Sequence, residues 1–377
     1  MVNEQINDPR MGPDISRKTI CNAFLLMLVL RWRSLLNSDR QFKSEGNISK
    51  IIGAEKETVA SDSTLSRALE WIDPEELKKL WGSILKTLRK KKVHKEGTVG
   101  NLRAAALDMT GVGNSKKISC GLCHGSGKKT HKVVFGYVIG RQPHVFLGLE
   151  AMRPGEGEVE AAGRLAEWIH ETTGNWIDVF ALDGLYKLPF IRKLRELGYH
   201  TVIRTEEVRL NIIRQAIRTY NDQLPVIVEQ SDDLSYELNV WDGFEIQVPE
   251  LDVPLRVLEV AKNYVLEGVS EVYWIITTLP SQRANAALVK EIAHCRWHIE
   301  NNAYHNLKTY WYFKHTFCHK EDASLTTLWF RIIAFSFFML FIYRHLFQLA
   351  QLLRERKIMM VHLVPMLERS LCIPAPT

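Results

Sequence analysis

From Gly97 the hydrophobic pattern switches from helical to strand-like, then alternates, and this switch constrains the fold more than any other feature of the chain. LRAAALDMTG is an apolar run that ends at Asp108, and HKVVFGYVIG and PHVFLGLEAM read as two buried strands separated by an Arg141-Gln142-Pro143 turn. EGEVEAAGRLAEWIHETTG is a helix, and WIDVFALDGLY a strand that stops at Asp183-Gly184. The helix LPFIRKLRELG and the strand HTVIRT follow. Three strands, then helix, strand, helix, strand, call for an α/β (mixed α+β) fold: a mixed sheet with helices on both faces. In open sheets of this kind sites form at strand ends, and Asp108 and Asp183 are each expected at one.

Residues 16–96, ahead of the switch, are helical throughout. KTICNAFLLMLVLRWRSLL reads as one strong helix; SDSTLSRALEWI and DPEELKKLWGSILKTLRKKK each open on a capping residue, with Pro74 at the first helical position of the second. The last runs into a basic cluster, Arg89, Lys90, Lys91, Lys92 and Lys95, which either sits on phosphates or is a solvated helix end favoured by the macrodipole. Beyond the helix EEVRLNIIRQAIRTY, residues 224–280 return to strands as a β insertion, with Asp242-Gly243 as the signature of a tight hairpin. Asp232, Asp233 and Asp242 read as turn formers there. The run 325–349 is broken by Arg331 and by Arg344-His345, so it falls short of the roughly 20 residues a membrane span needs and reads as a buried core helix.

Between them lies RWHIENNAYHNLK, residues 296–308. Ala284, Leu288, Ile292, Cys295, Ile299 and Ala303 recur at helical spacing after Ser281, the expected N-cap. Glu300 stands at the edge of that buried face, with Arg296 and Tyr304 one turn before and after it. Taken alone, Arg296 and Glu300 make an ordinary surface ion pair. Beside two strand-end aspartates, Glu300 becomes the third carboxylate of a convergent set. Carboxylates so close repel one another unless hard cations neutralise them, and two Mg²⁺ ions held by such a set support phosphodiester cleavage.

These pieces, in order, resemble a DDE transposase of a bacterial insertion sequence, of the group whose RNase H-like domain carries a β insertion. The likeness lies in SDSTLSRALEWIDPEEL, in LDMTG around Asp108, in DGLY at Asp183, in YWIITTLP and in RWHIEN around Glu300, and runs from about residue 60 to 345. It implies catalytic and metal-binding roles for Asp108, Asp183 and Glu300, with two Mg²⁺ ions for which Mn²⁺ substitutes. It also implies double-stranded DNA partners, the terminal inverted repeats and the target, and a homodimer in the synaptic complex. The domains implied are an arm at 1–15, a helical DNA-binding domain at 16–96, a catalytic domain at 97–347 with its insertion at about 221–280, and a C-terminal tail at 348–377. DNA contacts are expected from Arg296, Tyr304, Lys308 and the basic cluster, and from Trp241 as the insertion aromatic on which relatives stack a flipped base. Many relatives carry Y-(2)-R-(3)-E-(6)-K. Here Arg296 and Glu300 keep their spacing, but Ala293 holds the tyrosine position, Leu307 the lysine position, and Lys308 comes one residue late. On a continuous α-helix that turns the lysine about 100° away. A stand-alone RNase H-like nuclease and a domesticated, inactive DNA-binding protein are the rival readings.

The formal net charge of +6 suits a polyanionic partner. With no signal sequence in the polar N-terminus, the expected location is the bacterial cytoplasm, at the nucleoid when DNA-bound, with no membrane partner. The six cysteines, Cys21, Cys120, Cys123, Cys295, Cys318 and Cys372, are then expected to stay reduced. CGLCH, residues 120–124, matches the haem-attachment pattern, and Cys120, Cys123, His124 and His131 are a conceivable zinc set. No second close pair completes that set, so the expectation is neither haem nor structural zinc.

Overall fold

A computed structural model describes residues 6–44, 48–54, 59–115, 119–125, 129–315, 317, 320–355 and 360–372. The N-terminal helices are α1 (Arg17–Val29), α2 (Leu35–Lys43), α3 (Ile48–Ile51), α4 (Asp62–Trp71) and α5 (Pro74–Lys90). Ser16, Ser34, Ser61 and Asp73 each cap a helix by accepting a backbone N–H. Two caps fall where the sequence put them, but Ser34 splits the expected single helix over 18–36. The chain turns at Arg31, which has positive φ, and α2 restarts after Ser34. Arg31 gains in exchange a packed position over the rings of Tyr310, Trp311 and Phe338. The N-terminal arm is tied down from Ile6 onward: Ile6 is buried, and the backbone N–H of Asn7 donates to Glu76.

Next come β1 (Ala104–Ser115), β2 (Cys123–His124), β3 (Lys129–Val138), β4 (Phe146–Ala151), α6 (Glu158–Thr173), β5 (Val179–Leu182), α7 (Leu188–Glu196), β6 (His200–Thr205) and α8 (Asn211–Tyr220). The alternation predicted from Gly97 is thus present. β3 lies between β4 and β1, antiparallel to both, while β1, β5 and β6 run parallel. The insertion strands β7 (Ile227–Gln230), β8 (Tyr236–Ile246), β9 (Leu255–Tyr264) and β10 (Val269–Thr277) form an antiparallel meander. β10 pairs with β6, so the meander extends the same sheet.

Asp242-Gly243 does not turn a hairpin. It forms a register shift inside β8, between Trp241 and Phe244, with Gly243 at positive φ. Asp242 pairs there with Arg256 of β9, one of the most deeply buried side chains of the molecule. A buried guanidinium needs this carboxylate as its counter-charge, which is why the dipeptide serves the strand interior.

The long helix α11 (Glu321–His345) is long and apolar enough to cross a membrane, yet 83% of its apolar window is buried inside the protein. It packs against α1, α4, α5 and β4, so the helical segment and the sheet share one apolar core. Arg331, which interrupts its apolar run, is buried and donates to the carbonyls of Phe313 and His315. α12 (Phe347–Arg354) and α13 (Met360–Cys372) close the chain.

Candidate active site

Asp108 and Asp183 are brought together by sheet register. The last parallel pair of β1 and β5 is Ala106 opposite Ala181, and each aspartate stands two residues further on. Asp183 lies just beyond the end of β5, as expected. Asp108 does not end its strand: β1 continues to Ser115 against β3. What ends at Asp108 is the parallel partner, and that leaves its side chain beside a cleft. Gly184 after Asp183 is required by close approach, since a Cβ there would meet the Thr205 hydroxyl at 2.8 Å. Asp183 itself accepts from the Leu185 N–H at 2.9 Å.

Glu300 comes from a segment built differently from the single helix its pattern implied. The N-cap is Asn285, which accepts from Leu288 N, rather than Ser281. Helix α9 (Ala286–Cys295) ends at Arg296, a π-helical turn spans Ile299–Tyr304, and α10 (His305–Tyr310) continues it. Two α-turns take about seven residues, and one i→i+5 turn adds an eighth. Lys308, eight residues after Glu300, is thereby returned to the face it loses on a regular helix. Asp108, Met109, Thr110, Glu300, Asn301, Tyr304, His305 and Lys308 line one open cleft. The extra residue before the lysine is absorbed by the π-turn.

Arg296 sits between the acids, with Nη1 2.9 Å from Glu300 Oε1 and 3.8 Å from Asp108 Oδ1. Its side chain is 7% exposed against 36% for Glu300, so the ion pair is not the surface pair that the helix alone suggested. Tyr304 is also buried, and its hydroxyl donates to the Asp108 carbonyl at 2.7 Å. Arg296 thus pairs with both carboxylates, and Tyr304 holds the Asp108 backbone.

A fourth acid, Glu158 at the start of α6, carries no signal in the sequence. Its Oε1 accepts from the Tyr186 hydroxyl at 2.8 Å, so the tyrosine of DGLY positions it. Burial raises its pKa despite that bond. An acid in the first turn of a helix is common for dipole reasons, and nothing in sequence sets this one apart. The Asp108 carboxyl is pushed up to about 7, first by burial, then by the charges of Glu158 and Glu300, with Asp183 adding less and Arg296 opposing. An all-oxygen donor set that destabilises its own ionisation is one that a hard divalent cation relieves, so these residues fit such an ion.

The remaining predicted residues lie elsewhere. Arg89, Lys90, Lys91, Lys92 and Lys95 are at the surface where α5 ends, and Arg89 Nη1 donates to Thr173 O at the C-terminus of α6. Glu158 opens that same helix, so its 16 residues put roughly 24 Å between the cluster and the acids. Trp241 is half-buried, with its indole N–H donating to Gln223 O at 2.9 Å.

The fold is a mixed sheet flanked by helices, with two neighbouring aspartates and a helix-borne glutamate near them. The sequence matches the transposase DDE domain over residues 113–337, more than half of the chain, and the protein belongs to that family of DNA transposases. Asp183 and Glu300 fall inside the matched segment, and Asp108 lies just before it. No curated protein sequence matches the chain. Among solved structures, a cryo-EM structure of a piggyBac transposase synaptic complex with hairpin DNA is similar, with 10% identity, 98% of this chain and 80% of that chain covered, and a TM-score of 0.43.

Proposed function

We propose that the protein binds the terminal inverted repeats of a mobile element and catalyses DNA strand cleavage and strand transfer at the Asp108, Asp183 and Glu300 cleft. The observation that carries this reading is Asp108, Glu300 and Lys308 lining one cleft, with Asp183 near enough for its charge to act on Asp108. Asp108, Asp183 and Glu300 are the residues to hold two Mg²⁺ ions, or Mn²⁺ in their place. Bound ions of this kind activate a water or a 3′-hydroxyl and stabilise the departing oxygen. Arg296 holds Glu300 and Asp108 in orientation, and Tyr304 fixes the Asp108 backbone. Glu158 stands behind them, oriented by Tyr186. Residues 16–96 form the DNA-binding part, two copies pair on the two ends, and the cytoplasm is the place of action. The test is a duplex carrying the repeats that flank the reading frame, incubated with Mg²⁺ and a target plasmid. Joined products support a transposase, whereas cleavage without joining supports a nuclease.

Lys308 is assigned to a phosphate near the cut. On a regular helix Lys308→Ala would do little. With the π-turn in place, removing a charge-assisted hydrogen bond of about 1.5–3 kcal/mol should slow cleavage roughly 10- to 100-fold. Single-turnover rates check this, and a change under twofold would remove Lys308 from the site.

The lysines at the end of α5 are assigned to DNA well away from the cut. Replacing Lys90, Lys91 and Lys92 by Ala should flatten the plot of log affinity against log salt by about 0.9 for each phosphate no longer neutralised, measured by fluorescence anisotropy. An unchanged slope places the cluster off the DNA.

A further inference from the structure

The CGLCH loop projects from the end of the β1–β3 pair, and the sequence alone argues against a metal there because no second close pair completes the set. The fold selects His131 from the candidates named above. β2 pairs with β3 so that Cys123 lies directly opposite His131, on the same face of the ribbon. Cys120 Sγ is 3.8 Å from Cys123 Sγ and 3.0 Å from His131 Nε2, and the three atoms lie within 4.8 Å of one another. The Cys120 backbone N–H donates to Cys123 Sγ at 3.4 Å.

We propose that Cys120, Cys123 and His131 bind a thiophilic divalent cation, Zn²⁺, as a structural clasp separate from the carboxylate cleft. Zinc–sulfur bonds of about 2.3 Å at tetrahedral angles put two sulfurs roughly 3.8 Å apart, the separation found here. Zinc–nitrogen bonding asks for a sulfur–nitrogen distance of roughly 3.6 Å, so the imidazole must draw back about half an ångström from Cys120. The outer ring nitrogen is already engaged: His131 Nδ1 is 3.1 Å from the hydroxyl of Ser324, a buried residue of α11. That bond fixes which nitrogen faces the thiols, the arrangement expected of a metal-binding histidine.

Glu321 of α11 lies beside the loop, outside the three-atom cluster. Its Oε2 lies where a side chain on residue 121 would stand, so glycine at that position lets the carboxylate approach the loop. His124, the haem ligand the motif alone suggests, has its Nε2 3.1 Å from the Met152 carbonyl instead. A bound ion would fasten the ribbon that continues the Asp108 strand to the first turn of α11. Cys120 and Cys123 carry free thiols in this structure, as do Cys21 and Cys295, both buried in the core.

The test uses the full chain, purified without chelator and dialysed against a weak one. About one Zn²⁺ per chain should remain, and the Cys120→Ser, Cys123→Ser double variant should retain close to none. Because that variant is at risk of misfolding, the apo wild-type protein is also titrated with Co²⁺. A sulfur-to-cobalt charge-transfer band with the visible bands of a tetrahedral ion is expected, and His131→Asn should weaken binding while circular dichroism stays native. Folded wild-type protein that holds no zinc and gives no such band overturns the proposal. So do zinc retained equally by the double variant, and a mass two hydrogens light, which would mark the pair as a disulfide.

Discussion

Glu300→Gln is expected to reduce strand cleavage in Mg²⁺ by roughly 10³-fold or more while leaving terminal-repeat affinity in Ca²⁺ nearly unchanged. The substitution keeps shape and hydrogen bonding but removes one of the charges that a hard cation requires. Asp108→Asn and Asp183→Asn should behave alike, since register makes the two aspartates neighbours beyond Ala106 and Ala181. Cleavage rate and filter-bound affinity are measured separately, because a variant that fails in both has lost its fold or its DNA surface. Glu158→Gln is informative beside them: with its carboxylate held by Tyr186, it should cost less than the other three. If Glu300→Gln cuts at nearly the wild-type rate, the segment is a packed element whose glutamate serves only Arg296, and the reactive carboxylates lie elsewhere.

Most of what positions this cleft is written in hydrophobic periodicity. The switch at Gly97 points to the mixed sheet, and apolar runs stopping at carboxylates put Asp183 at its observed place. Asp108 is legible for a reason that needs amendment, because a sequence shows where an apolar run ends but not where one neighbouring strand leaves and another stays. The π-turn is invisible for a related cause. Its extra residue changes the phase of Lys308 without changing composition, and the pattern from Ala284 to Ala303 fits a regular helix just as well. Asp242-Gly243 illustrates the limit of local turn chemistry: the dipeptide suits a hairpin, but the buried charge of Arg256 on the next strand decides its use. Glu158 depends on a contact with Tyr186 from another segment, which no spacing rule reaches; the thiol–imidazole cluster joins residues that the spacing does name, and only the pairing of β2 with β3 selects His131 over His124.

The helical segment and the sheet should unfold together, and Trp81→Ala tests this with a large effect on stability. Trp81 of α5 is fully buried, its indole N–H donates to the Phe146 carbonyl of β4 at 3.1 Å, and its ring meets the edge of Phe337 on α11. One side chain therefore joins the N-terminal helices, the sheet and the long core helix. Truncation to alanine leaves a cavity and an unpaired carbonyl, with an expected loss of about 3–5 kcal/mol. For a chain of this length that lowers the melting temperature by roughly 4–6 °C. Trp81→Phe keeps most of the ring and should lose only about 1–2 kcal/mol, chiefly the hydrogen bond. Hydrogen exchange in β4 and α6 should accelerate together with exchange in α5, since a shared core opens as a unit. Two separate melting transitions, with Trp81→Ala moving only the helical one, would show instead that residues before Gly97 fold as an independent domain resting on the sheet, and α11 would then belong to the sheet alone.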